Sequence, residues 1–322
     1  MCQALGLSYF EHRLSCMSRT AKKRNKPLWH PVYWPSWLMV FTLYLLSLLP
    51  MSAKQRFGRR LGCFLERKLK ARSRVAHTNL SACLPELDDS ARQQLVQDNF
   101  VACTRGFLES THAWWRDMSG YYDTTEMLGL EHLEVARAQN RGVLLIGGHY
   151  SIFDFALPLI ACKLDKPGYM YRPNNNPVID RMIENGRRRH FNIRPFSKRQ
   201  LPRMMTFLKE GGQVWFACDQ DFGRKTELFV PFFGVDAGCI TSPSYIARES
   251  GAAVICVSHL RLPDGRYRVE FSPIQEDFGQ DTARDAETWN RFIESTIREY
   301  PDQYLWLHKR FKSRPEGAEK IY

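Results

Sequence analysis

The chain has 322 residues, 44% hydrophobic and 13% aromatic, with a formal net charge of +12; this excludes a disordered or collagen-like chain and a small disulfide scaffold. Residues 1–75 hold 15 of the 46 basic and 2 of the 34 acidic residues, a balance of +13, which leaves 31 basic and 32 acidic residues for the other 247. A body so near neutrality argues against a nucleic-acid groove spread across the fold.

Residues 1–29 read as a basic N-terminal extension. From Pro31 to Ala53 the chain runs 23 residues without Lys, Arg, Asp or Glu, flanked by Lys22, Lys23, Arg24 and Lys26 before and Lys54, Arg56, Arg59 and Arg60 after. Trp29, Tyr33, Trp34 and Trp37 crowd its leading edge, as aromatic residues do at a membrane interface. Residues 30–53 are therefore expected to form a membrane anchor helix. Its apolar stretch between Pro35 and Pro50, Ser36 to Leu49, would be about 21 Å long, against about 30 Å of hydrocarbon. Spanning the bilayer, lying in its interface and burial as a soluble helix all stay open, and the basic run from Lys54 to Arg74 is expected against anionic headgroups.

Residues 54–127 read as a helical, membrane-proximal region: Phe57, Leu61, Phe64 and Leu65, then Leu95, Val96, Phe100 and Phe107 recur at helical spacing, with an N-cap offered at Asp88–Ser90. Residues 128–322 alternate short apolar runs with amphipathic stretches, the pattern of an α/β core with a mixed, mostly parallel sheet flanked by helices. Strands are expected at Val143–Ile146, Gln213–Cys218, Ala252–Leu260 and Tyr267–Ile274, the last two joined near Asp264-Gly265. Helices are expected over 152–163, 176–190, 201–210, 242–250 and 285–300. The nine cysteines form no C-x-x-C pair, which suggests neither a zinc site nor a disulfide framework, and a reducing compartment is the simplest fit.

Four constellations carry possible chemistry. Gly147-Gly148-His149-Tyr150-Ser151-Ile152-Phe153-Asp154 follows a strand, where ligands bind in α/β sheets. His149 and Asp154 lie about 140° apart around an ideal helix, so a His–Asp pair needs His149 on the turn and Asp154 inside the helix; otherwise both are structural. Arg172, Asn174 and Asn175, between Tyr171 and Pro177, offer donors for a phosphate or oxyanion, or simply a turn capped by Asn176. Asp219 and Asp221, just after a strand, fit either a metal or a loop charge-paired with Arg224 and Lys225. The C-terminal run around Arg310 interleaves basic and aromatic residues and suits phosphates, a membrane or a solvated tail.

Taken together, the HPVYW segment, the His-x4-Asp motif, YRPNNN, VWFACDQDFGRK, FVPFFGV, SGAAV and PDQYLWLHKRFKSRPEG resemble the bacterial late acyltransferases of lipid A biosynthesis, over about His30 to Tyr322. The resemblance implies an inner-membrane enzyme with its catalytic domain on the cytoplasmic face and no cofactor, metal or nucleic-acid partner. It implies transfer of a fatty acyl group from acyl carrier protein to the 3-hydroxyl of a hydroxyacyl chain on a lipid A precursor, Kdo2-lipid IVA. It casts His149 as general base and Asp154 as its orienting acid. Arg172, Asn174, Asn175, Asp219, Asp221, Arg224 and Arg310 become candidates for holding substrate or oxyanion. Acidic acyl carrier protein and inner-membrane phospholipid are the implied partners, with the carrier expected beside the basic N-terminal arm. The segment HFNIRPF after Arg189 departs from the family's usual pattern. A glycerolipid or lysophospholipid acyltransferase, and a membrane-anchored binding protein of the same fold with a dead site, are the alternatives.

Overall fold

In a computed structural model, residues 26–223 and 226–322 are described. Most of the expected extension over 1–29, and Arg224 with Lys225, lie outside them.

The apolar N-terminal segment is divided by Pro50, which can neither donate to a preceding turn nor let its neighbour stay helical. After a 3₁₀ turn at Pro31–Tyr33, helix α1 (Trp34–Ser47) stops short of it and α2 (Met51–Lys68) starts beyond it. Among the described residues no helix is long and apolar enough to cross a membrane. The single anchor helix expected over 30–53 is thus corrected to a 14-residue helix, a break and the start of another. One side of α1 packs inward through Leu43 and Ser47, while Trp34, Trp37, Leu38, Phe41, Leu45 and Leu48 are exposed, as is Tyr44, whose ring edge meets Trp115.

Helices α3 (Lys70–Cys83) and α4 (Asp89–Trp115) complete the helical region. Asp88 caps α4 as its side chain predicts, accepting from the Ala91 N–H at 2.7 Å. A Cβ at Gly62 of α2 would lie 2.6 Å from the Val101 Cα, so α2 and α4 approach as closely as their backbones permit.

The α/β body then reads β1 (Glu126–Leu128), α5 (Leu130–Ala138), β2 (Val143–Gly147), α6 (Phe153–Ala161), β3 (Pro167–Tyr171), α7 (Pro177–Arg188), β4 (Arg194–Ser197), α8 (Leu201–Lys209) and β5 (Gln213–Ala217). A small antiparallel hairpin follows, β6 (Leu228–Phe232) with β7 (Val235–Cys239). The chain continues with α9 (Ser242–Ser250), β8 (Ala253–Arg261), β9 (Tyr267–Ile274) and α10 (Thr282–Glu299). The seven-stranded sheet has the order β1-β9-β8-β2-β5-β3-β4. All its neighbours are parallel except β8 and β9, which the tight turn at Gly265 (φ +88°) folds back antiparallel. A mixed, mostly parallel sheet is what the alternation of runs implied.

Strand β2 is buried along its whole length because both faces of the sheet are covered. Leu144, Ile146, Val214 and Phe216 pack toward Trp289 and Ile293 of α10. Val143, Leu145 and Trp215 pack toward Phe155 and Ile160 of α6. The central strand therefore ends rigidly at Gly147, with the next residues free to build a site.

Candidate active site

Strands β2 and β5 are parallel neighbours in register, Gly147 opposite Ala217. His149 and Asp219 each stand two residues beyond that pair, and the topology brings them together. The His149 Nδ1 lies 2.5 Å from the Asp219 Oδ1, and the His149 backbone N–H donates to Oδ2 at 2.9 Å. Asp219 is buried, at 2% exposure. Burial alone would push its carboxyl up, but the charge that the His149 ring carries when protonated and the two bonds from that residue outweigh it and hold the group down to about 2. An ionised acceptor at Nδ1 puts the ring proton there and leaves the Nε2 lone pair free. The imidazole is part-exposed, so Nε2 is open to a reactant.

Asp154 does not fill the role that the His-x4-Asp spacing suggested. It stands in the first turn of α6, and both its oxygens are taken by Arg187 from the end of α7, Nε–Oδ1 at 2.5 Å and Nη2–Oδ2 at 3.2 Å. The physical reason is competition: Arg187 of α7 takes both Asp154 oxygens, while the parallel neighbour β5 delivers Asp219 to His149. The pair still bears on the site through Phe153. The His149 ring stacks flat on Phe153, with centroids 5.2 Å apart and an 8° tilt, and Phe153 lies on Trp215 at 4.2 Å. The Arg187 guanidinium sits over the Phe153 and Tyr169 rings at 5.6 and 4.9 Å. A second histidine, His259, borders Phe153 and Trp215 edge-on; burial pushes it down to about 3, so it stays neutral, and of the two rings only that of His149 reaches solvent.

The loop carrying His149 is clamped by the C-terminal segment. The Leu305 N–H donates to the His149 carbonyl at 3.0 Å and the Ser151 N–H to the Gln303 carbonyl at 2.7 Å. That segment is held in turn by Asn99 of α4, donating to the Asp302 and Tyr304 carbonyls at 2.7 and 2.6 Å, and by Asn79 of α3, donating to Trp306 and His308. Gln303 exchanges two bonds with the Arg261 backbone, and the Arg261 guanidinium forms a buried ion pair with Glu109 of α4. From below, α4 touches the turn at Gly106, where a Cβ would meet the Ser151 carbonyl oxygen at 1.8 Å. Sequence reasoning missed all of these supports, since each joins residues more than 40 positions apart.

The other expected site residues divide. Asn174 and Asn176 are spent on the loop: the Asn174 N–H donates to Asp180, Asn174 accepts from the Asn176 N–H, and Asn176 caps α7 and donates to Ser36 of α1 at 2.7 Å. Arg172 and Asn175 remain exposed beside it. Asp221 does not join Asp219 as a ligand pair; it accepts from the Gly223 N–H and from the Ser313 N–H and hydroxyl, tying its loop to the tail. Among the described residues no cluster of His, Cys, Asp and Glu could hold a metal. Arg310, expected near substrate, is 2% exposed and donates to the Gly238 carbonyl at 2.8 Å and to Asn290 at 3.2 Å, so it fastens β7 to α10 instead. Arg224 lies outside the described residues.

A histidine with an open Nε2, oriented by a buried carboxylate at the mouth of an α/β sheet, is suited to deprotonating a hydroxyl for attack on a carbonyl, the chemistry of acyl transfer. The comparisons agree. The family model for bacterial lipid A biosynthesis acyltransferases matches residues 21–313. The lipid A biosynthesis lauroyltransferase of Escherichia coli (strain K12) is 36% identical over 304 residues, covering 93% of this chain and 98% of the relative. The palmitoleoyltransferase of the same organism is 33% identical with the same coverage of each. Its myristoyltransferase is 26% identical over 92% of this chain and 93% of the relative. This chain belongs to the bacterial lipid A biosynthesis acyltransferase family and is an acyltransferase of lipid A biosynthesis. That sets it apart from the glycerolipid acyltransferases considered above.

Proposed function

We propose that the enzyme moves a fatty acyl group from acyl carrier protein to the 3-hydroxyl of a hydroxyacyl chain on Kdo2-lipid IVA, with His149 as general base. The observation that carries this reading is the His149–Asp219 pair, which leaves Nε2 as the available lone pair. An alcohol is a weak nucleophile near neutral pH, so Nε2 takes its proton as the oxygen attacks the thioester carbonyl; the tetrahedral intermediate then collapses and expels the thiolate, which is protonated from the imidazolium. Both substrates sit together and no acyl-enzyme is needed. Arg172 and Asn175, exposed just beyond β3, are the side-chain donors assigned to the developing oxyanion, since the Ser151 N–H is already bonded to Gln303. Asp154 acts through Arg187 to hold Phe153, and so the imidazole plane, making it a positioning residue.

The same proposal places the protein on the cytoplasmic face of the bacterial inner membrane, with the exposed apolar side of α1 resting in the interface rather than crossing it. Support comes from its tryptophans and from Arg56, Arg59 and Arg60 at the start of α2. The test is His149→Ala assayed with lauroyl-acyl carrier protein and Kdo2-lipid IVA, reading acylated lipid by mass spectrometry. Transfer should fall at least ~10²-fold with vesicle association retained. Activity within a few-fold of wild type would remove His149 as the base.

A further inference from the structure

We propose that the β4 edge of the sheet, with the end of α7 and the helix α8 beside it, is the surface on which an acidic acyl-carrying protein docks. This rests on the carrier-protein donor proposed above and moves its docking away from the N-terminal arm. The first observation is charge. Residues 181–209 contain nine Lys or Arg and a single Glu, inside a body that is otherwise balanced or slightly acidic. The second is that five of these nine charges are not neutralised locally, although Arg187 pairs with Asp154 and Arg188 with Glu184. Arg189, Arg194, Lys198, Arg199 and Arg203 are all exposed, and among the described residues none forms an ion pair. Elsewhere on the body several exposed arginines have carboxylate neighbours, as Arg266 has Asp264, Arg291 has Glu287 and Arg298 has Glu294. A cluster of unpaired like charges is self-repelling, and an acidic partner relieves that repulsion.

The third observation is preorganisation. The surface is indented by a cavity of about 500 Å³, lined by Arg188, Arg194 and Arg203 together with Phe191, Phe196 and Phe207. The Arg194 guanidinium lies over the Phe196 and Phe207 rings at 5.7 and 5.3 Å, which fixes its direction and lowers the entropy lost when it meets a carboxylate. Lys198, Arg199 and Arg189 lie outside the cavity, so the charged area is wider than a small ligand covers. Of the large apolar side chains here only Phe191 is exposed, unlike the tryptophan-rich face of α1, so this is a surface for a protein rather than for a bilayer. The patch starts at the site's own margin: Arg187, adjacent to Arg188 and Arg189, is the residue that binds Asp154.

The experiment compares wild type with Arg199→Glu/Arg203→Glu, and with Arg284→Glu/Arg291→Glu on α10 as a charge-matched control. It measures binding of lauroyl-acyl carrier protein by fluorescence anisotropy at several salt concentrations, and KM for that donor. The β4-edge variant should bind at least ~10-fold more weakly and lose much of the salt dependence, and its KM should rise in parallel, while the control keeps wild-type KM. Unchanged carrier binding in the β4-edge variant overturns the proposal. So does a variant that loses only its binding to anionic phosphatidylglycerol vesicles, which would assign the patch to lipid. A wild type that binds the carrier but transfers nothing to Kdo2-lipid IVA would refute the acceptor reading and leave the docking surface supported; one that does not bind the carrier at all refutes both.

Discussion

Asp219→Asn tests the proposal that His149 is the base and Asp219 orients it. The carboxylate accepts two bonds from one residue, at Oδ1 from the His149 ring and at Oδ2 from its backbone N–H. An amide has one acceptor and one donor in the same plane, so one contact becomes donor facing donor. The relief available is for the imidazole to accept at Nδ1, which moves its proton to Nε2 and leaves no lone pair for the substrate hydroxyl. The expected loss in kcat is therefore ~10²–10⁴-fold, the usual contribution of a general base in its working tautomer, with a smaller change in KM. Stability changes too. A carboxyl held near 2 rather than its ordinary 3.8 stabilises the fold by about 2 kcal/mol at neutral pH. Because the folded value is the lower one, that stabilisation is complete above about pH 4 and disappears as pH falls toward 2. Asp219→Asn should accordingly melt lower at pH 7 and converge with wild type in strong acid. Steady-state transfer at saturating donor and acceptor is the deciding assay, with Asp154→Asn run beside it. Near-wild-type activity in Asp219→Asn together with a dead Asp154→Asn would refute the reasoning and restore the acid that the spacing suggested.

Gly106→Ala places a methyl against the Ser151 backbone, where no flexible side chain can yield; it should cost about 1–3 kcal/mol in thermal melts and lower kcat more than KM, because the His149 turn must shift. Trp37→Ser/Leu38→Ser/Phe41→Ser on the outer side of α1 should weaken binding to anionic vesicles at least ~10-fold while leaving transfer in detergent micelles within a few-fold of wild type; vesicle binding as tight as wild type would show that this face does not meet lipid. Lys54 is fully buried, donating to the Ser47 carbonyl at 2.9 Å, and burial chiefly, with Arg116, lowers it to about 8 against a partial offset from Glu109. The folded chain gives up that proton near pH 8 while the unfolded chain keeps it to about 10.5, so wild-type stability should gain over that window relative to Lys54→Met.

The sheet was legible where apolar runs were long and bounded. VLLI and QVWFA mark β2 and β5 because strands covered on both faces are nearly apolar throughout, while β8 and the alternating β9 are marked by the turn at Asp264-Gly265 between them. β1 and β4 were not legible: Glu126–Leu128 and Arg194–Ser197 are edge strands of three and four residues, too short for any period to register. The β6–β7 hairpin hides behind Pro231 and a turn at Phe233-Gly234, both with positive φ in the turn, so FVPFFGV reads as a motif rather than as two strands. At the site, His149 was found because it follows a strand and two glycines. Its contact with Asp219 is not legible in a local pattern such as His-x4-Asp, because the bond joins neighbouring parallel strands. The signal was nevertheless present, since two buried runs each reach a titratable side chain two residues past their last paired position, His149 in one and Asp219 in the other. Arg310 looked like a phosphate ligand because composition alone does not tell a buried guanidinium from an exposed one.

Helix α7 gives the proposals a common geometry. Its cap, Asn176, donates to Ser36 of α1, so its N-terminal end is tied to the helix whose apolar face is proposed to rest on the membrane. Its other end supplies Arg187 to Asp154 in the site and Arg188 to the cavity at the β4 edge. Twelve residues at 1.5 Å each separate the two ends by about 18 Å. Were lipid met at one end and an acidic carrier at the other, as proposed, the two substrates would approach along separate ends of α7 and need not displace one another, as direct transfer without an acyl-enzyme requires. On these proposals the uneven charge of the chain would have two separate uses, one in the basic residues flanking the apolar segment and one in a second basic cluster concealed within a neutral total, and a charge reversal in the second should weaken the carrier's binding while leaving the protein on its vesicle.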